Sequence, residues 1–74
     1  MPMHSLVRPD GHAIRSARME LGLKQIELAD RVGTNQPYLS LIENGKTVNR
    51  GVIIQRLADA LGREPGELIR NDET

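Results

Sequence analysis

Residues 36 to 44 read Gln-Pro-Tyr-Leu-Ser-Leu-Ile-Glu-Asn. At helical spacing, Gln36, Pro37, Ser40, Leu41 and Asn44 share one side, while Leu39 and Ile42 fall on the other. The first set offers two amides, a hydroxyl and two apolar groups, and carries no charge. A helix face turned to bulk water ordinarily fills with Lys, Glu and Arg, which favour helix and keep a protein in solution. An uncharged face of Gln, Ser, Asn, Pro and Leu instead suits the DNA major groove, where amides pair bidentately with adenine and apolar groups meet the thymine methyl. A polar surface helix with no partner is the plainer alternative.

Such a face needs a frame. Asp10 can cap a first helix over about 10–21, with Ile14, Ala17 and Leu21 at apolar spacing and Gly22 as its stop. A second segment, 25–32, lines up Leu28, Ala29 and Val32 and ends at Gly33. Asn35 can cap the third helix, about 36–44, where Pro37 in the first turn costs no hydrogen bond; Asn44-Gly45 ends it. A fourth helix opens at Asn49 or Arg50, carries Ile54, Leu57, Ala58 and Leu61, and closes at Gly62. A short fifth begins near Glu64-Pro65 and buries Leu68 and Ile69. No strand pattern or repeat is visible. The expected fold is therefore all-α, with five helices in one domain over residues 10–70, a flexible N-terminal arm over 1–9 and a polar tail over 71–74. Two short helices joined by about four residues beginning with Gly make a helix-turn-helix geometry.

Composition narrows the function classes. Seventy-four residues allow one small core and no large active-site cavity. There is no Cys, so neither a disulfide framework nor a thiolate zinc site is available. The longest apolar run, Val52-Ile53-Ile54, is far below the roughly 20 residues of a membrane span. The start lacks the basic and apolar stretches of a secretory signal, so a soluble, cytoplasmic chain is expected. His4 and His12 lie in or beside the arm, away from any carboxylate cluster, and no Gly-rich phosphate loop is present. Neither catalysis, a metal nor a cofactor is expected. Ten basic residues balance ten acidic ones, yet residues 8–56 hold eight basic against five acidic and residues 57–74 two against five. A net +3 followed by −3 leaves room for a local patch that attracts phosphate.

At this level the chain resembles the lambda-repressor-like helix-turn-helix domains of the XRE and phage Cro and repressor family. The resemblance rests on "IRSARMELGLKQIELADRVG", "TNQPYLSLIENGK" and "LADALG" at the family's intervals, and runs from about Ile14 to Ile69. It implies that helix three is the recognition helix, with Gln36 reading a base and Gln25 both donating to a DNA phosphate and holding Gln36. Asn35, Ser40 and Leu41 fall on the DNA-facing side; Asn44, Lys46 and Thr47 match positions that touch phosphate or base edges. Pro37 departs from the polar residue common at its position and can offer only van der Waals contact. Tyr38 is expected to place its hydroxyl on a phosphate, the alternative being a buried core tyrosine. Arg18 and Glu43 match a structural ion pair between helices. Gly51 and Gln55 stand where the family commonly has apolar residues, and Ile26 where it is usually polar.

The expected function is a sequence-specific double-stranded DNA-binding regulator of repressor type. One short recognition helix reads few base pairs, so a homodimer on an inverted-repeat operator follows, with half-sites about 34 Å apart. Val52, Ile53, Leu68 and Ile69 are the candidate dimer surface, the alternative being that they complete a monomeric core. The alternative is a protein-interaction module, such as an antitoxin or adaptor, which the apolar Ile26 and Leu41 would favour.

Overall fold

The computed structural model describes residues 6–70. Four α-helices carry the architecture: α1 (Gly11–Glu20), α2 (Gln25–Arg31), α3 (Gln36–Glu43) and α4 (Gly51–Leu61). Short strands β1 (Leu6–Val7) and β2 (Asn49–Arg50) accompany them, and a 3-10 turn spans Pro65–Leu68. Local chemistry sets the starts. The Asp10 carboxylate accepts from the Ala13 N–H at 3.1 Å, and the Asn35 side chain accepts from the Tyr38 N–H at 2.9 Å. At the head of α2 the Lys24 N–H donates to the Glu27 carboxylate at 2.8 Å. α4 stops at Gly62, whose φ of 67° is the left-handed conformation that glycine adopts without a Cβ penalty.

The helices surround one core. Ile14, Leu28, Leu39, Ile42, Ile54, Leu57 and Leu68 are each no more than 1% exposed. Burying each such side chain is worth about 1.5–3 kcal/mol of transfer free energy. α2 packs on α3, α1 bridges α3 and the 3-10 turn, and α4 closes the far side against that turn and β2.

Three expectations are corrected. The fifth helix is not an α-helix: four residues containing Pro65 and Gly66 are too short to propagate one, and they wind as a single 3-10 turn before Ile69 runs extended. Strand pairing is present although no strand pattern was expected. Leu6 lies opposite Arg50 and Val7 opposite Asn49, antiparallel, while Pro9 bridges Ile69. Two-residue strands are too short to show a period-2 pattern. Asn49 therefore belongs to β2, and Arg50 caps α4.

Among the described residues, Leu6 and Val7 are thus paired although they fall inside the stretch expected to be an irregular arm. Val7 and Pro9 are buried. The Asp10 N–H donates to the Leu68 carbonyl at 2.7 Å and the Arg70 N–H to the Arg8 carbonyl at 2.9 Å. Residues 1–5 of the expected arm, including His4, and the polar tail 71–74 lie outside the described residues.

Candidate nucleic-acid interface

The surface of α3 is fixed by a chain of hydrogen bonds that starts inside the protein. Arg18, on α1, donates from Nε to Glu43 Oε2 at 2.7 Å and from Nη2 to Glu43 Oε1 at 3.0 Å. Its Nη1 donates to the Leu23 carbonyl at 2.7 Å. The two side chains are 11% and 2% exposed, so this ion pair between helices is largely withdrawn from water. Glu43 Oε1 also accepts from Gln25 Nε2 at 2.9 Å, and Gln25 Oε1 accepts from Gln36 Nε2 at 2.8 Å. α1, α2 and both ends of α3 are thereby tied together, and the chain ends at the exposed side chain of Gln36.

Each amide in that chain keeps unused capacity. A primary amide carries two N–H donors and one oxygen. Gln25 has one N–H left. Gln36 keeps one N–H and its oxygen, the pair that adenine's N7 and N6 require.

The remaining sequence-predicted residues gather around α3. Asn35, Gln36, Pro37, Leu41 and Asn44 are exposed, with Leu41 at 46%, and Ser40 is half-buried. Pro37 sits in the first turn behind the Asn35 cap and loses no hydrogen bond there. Asn44 Nδ2 donates to Ser40 Oγ at 3.3 Å. Just past the helix, Lys46 is exposed and Thr47 half-buried, its hydroxyl donating to the Val48 carbonyl at 3.0 Å. Tyr38 is half-buried: its ring packs against the core, and its hydroxyl accepts from the buried side chain of Asn49.

Two residues have roles that the sequence did not reveal. Gly11 is buried in the first turn of α1, where a Cβ would lie 2.3 Å from the Glu43 carbonyl oxygen and 2.7 Å from that of Ile42. A glycine where helices prefer better formers is the one sequence signal of such close approach. Asn49 had no signal, because its burial depends on the ribbon. Of the apolar residues assigned to a dimer surface, Leu68 is removed: it is 1% exposed within the core, while Val52, Ile53 and Ile69 are half-buried.

Among the described residues, no group of three or more His, Cys, Asp or Glu is placed to hold a metal ion, and no helix is long and apolar enough to cross a membrane.

The helix-turn-helix family model matches residues 14–68, most of the chain. The chain belongs to the helix-turn-helix family. As a member of this XRE-type family it is a DNA-binding transcriptional regulator; the family is not an enzyme class. It is 45% identical over 51 residues to an uncharacterised HTH-type transcriptional regulator of Methanothermobacter thermautotrophicus, covering 69% of this chain and 74% of that one. The restriction-modification controller protein C.AhdI of Aeromonas hydrophila superposes with a TM-score of 0.73 at 37% identity, over 77% of this chain and 86% of that one. The P22 c2 repressor, crystallised with a synthetic operator, superposes with a TM-score of 0.77 at 31% identity, over 84% and 94%.

Proposed function

We propose that this helix-turn-helix protein is a sequence-specific, repressor-type regulator that inserts α3 into the major groove of double-stranded DNA. The observation that carries this is the anchoring of Gln36. A base-reading amide gains specificity when its orientation is fixed before binding, because less side-chain freedom is lost on contact. The bond that Gln36 donates to Gln25, itself held by the Glu43–Arg18 pair, supplies that fixation. Gln36 then reads adenine, while Leu41 and Pro37 supply apolar contact to thymine methyls. The second N–H of Gln25, the hydroxyl of Tyr38, and Asn44, Lys46 and Thr47 engage phosphates and set the register, with Asn35 and Ser40 beside them. The P22 c2 repressor's complex with an operator supports double-stranded DNA as the partner.

Two copies, on half-sites one helical turn apart, give this short helix a usable operator. Half-buried Val52, Ile53 and Ile69 are the surface offered for that homodimer.

Selection of duplexes from a random library, at near-physiological salt with competitor, is expected to enrich an inverted repeat. Gln36→Ala should weaken binding to that repeat by about 1–3 kcal/mol, roughly fivefold to 150-fold. Its salt dependence should match wild type, since the phosphate contacts remain. A variant that binds as tightly as wild type would remove Gln36 as the reader. Folded wild-type protein that enriches nothing would shift the case to a protein-interaction module of antitoxin or adaptor type, which the 64% exposure of Ile26 beside Gln25 favours.

A further inference from the structure

Asn49 is 1% exposed, and among the described residues its Oδ1 is the only buried side-chain nitrogen or oxygen without a hydrogen-bond partner. An unpaired amide oxygen in a core destabilises the fold, and an apolar side chain of the same size would fill the space without that penalty. Stability alone gives no reason for an amide here. What the amide does do is donate, through Nδ2, to the hydroxyl oxygen of Tyr38.

A phenol has a single proton and accepts through its lone pairs. With the Asn49 amide on the accepting side, the proton of Tyr38 is directed elsewhere. The ring packs on the core from α3, two residues after Gln36, so its direction is set by packing and its hydroxyl by Asn49. We propose that Asn49 is a positioning residue for DNA binding: it holds the Tyr38 hydroxyl as a donor aimed at a phosphate oxygen beside the recognition helix. This rests on the docking of α3 proposed above. Phosphate contacts of this kind orient the protein and carry no sequence information of their own. Asn49 is then expected to govern affinity for any duplex that α3 can enter.

The test is a double-mutant cycle of Asn49→Leu and Tyr38→Phe, with binding to the selected operator and urea unfolding measured on each protein. Each single substitution is expected to weaken binding by roughly threefold to thirtyfold, and the double no further than the weaker single. Asn49→Leu should keep or raise the unfolding midpoint while losing affinity, which a purely structural asparagine would not do. The proposal is overturned if Tyr38→Phe binds like wild type, or if Asn49→Leu weakens binding equally with and without the tyrosine hydroxyl.

Should Asn49→Leu fail to fold, the wild-type protein still decides the matter. Tyr38 is the only aromatic residue in the chain, so ultraviolet resonance Raman bands of the protein's phenol ring belong to it alone. Operator binding is expected to replace water by an anionic phosphate oxygen as the acceptor of that hydroxyl's proton, shifting the phenol bands toward those of a stronger donor; an unchanged spectrum refutes the assignment. Wild-type protein that binds no duplex would sink the docking of α3 and this inference together. An operator bound equally by wild type and Tyr38→Phe would sink this inference alone.

Discussion

Glu43→Ala is expected to cost about 3 kcal/mol of folding stability, measured as a lowered urea midpoint at unchanged slope. The carboxylate accepts from three donors, two on Arg18 and one on Gln25. Removing it leaves a guanidinium that is only 11% exposed with the Leu23 carbonyl as its one remaining protein acceptor among the hydrogen bonds described. Breaking one side of a buried pair is costly because the other charge stays behind without compensation, and the value expected here is the lower edge of that range. A domain of this length has a total stability of only about 4–11 kcal/mol, so the loss is a large fraction of it. The same substitution releases Gln25, and with it the anchor of Gln36. Operator affinity should therefore fall even where the variant is fully folded. A midpoint equal to wild type would show that Arg18 finds water or another acceptor at little cost, and would dismiss the pair as a structural element.

Gly11→Ala is the second large effect. The added methyl would meet the backbone of Glu43 and Ile42 at 2.3 to 2.7 Å, well inside van der Waals contact. Main chain cannot swing aside as a side chain can, so the start of α1 and the end of α3 must separate. Alanine improves helix propensity by about 0.5–1 kcal/mol over glycine, but overpacking costs about 1–3 kcal/mol, or more against backbone, and wins. A net loss near 1–2 kcal/mol is expected in urea unfolding. Because the displaced residue is Glu43, the Arg18 and Gln25 bonds must shift with it, and DNA binding should weaken beyond the stability loss. Gly66→Ala is the matched control: its Cβ would meet nothing within 4 Å, so it should be neutral or slightly stabilising. If Gly11→Ala melts with that control, the close approach of the two helices is not a constraint.

Both effects converge on Glu43, where stability and recognition share one carboxylate. This gives the proposed reader a physical logic. The buried charge pair sets the spacing of the helices, Gln25 carries that spacing to the surface, and Gln36 presents it to DNA.

The sequence by itself determined the four α-helices and their order. Apolar residues at spacings of three and four, capping residues such as Asp10 and Asn35, and glycines at the stops are local signals, and local hydrogen bonds answer them. The uncharged face of α3 was legible for the same reason, since one helix alone defines which residues share a side. What only the tertiary structure decided involves partners distant along the chain. The β1–β2 ribbon joins residues more than forty positions apart with strands too short to leave a pattern, and it turns Asn49 from a helix opener into a buried donor to Tyr38. The segment expected as a fifth helix is a single 3-10 turn, cut short where Ile69 runs extended and bridges Pro9, a residue sixty positions away. Gly11 is constrained by the backbone of α3, and Leu68, which the sequence left between core and dimer surface, goes to the core. Periodicity and caps report what a residue does with its near neighbours; burial and close approach depend on which distant segment arrives, and only the packed chain settles that.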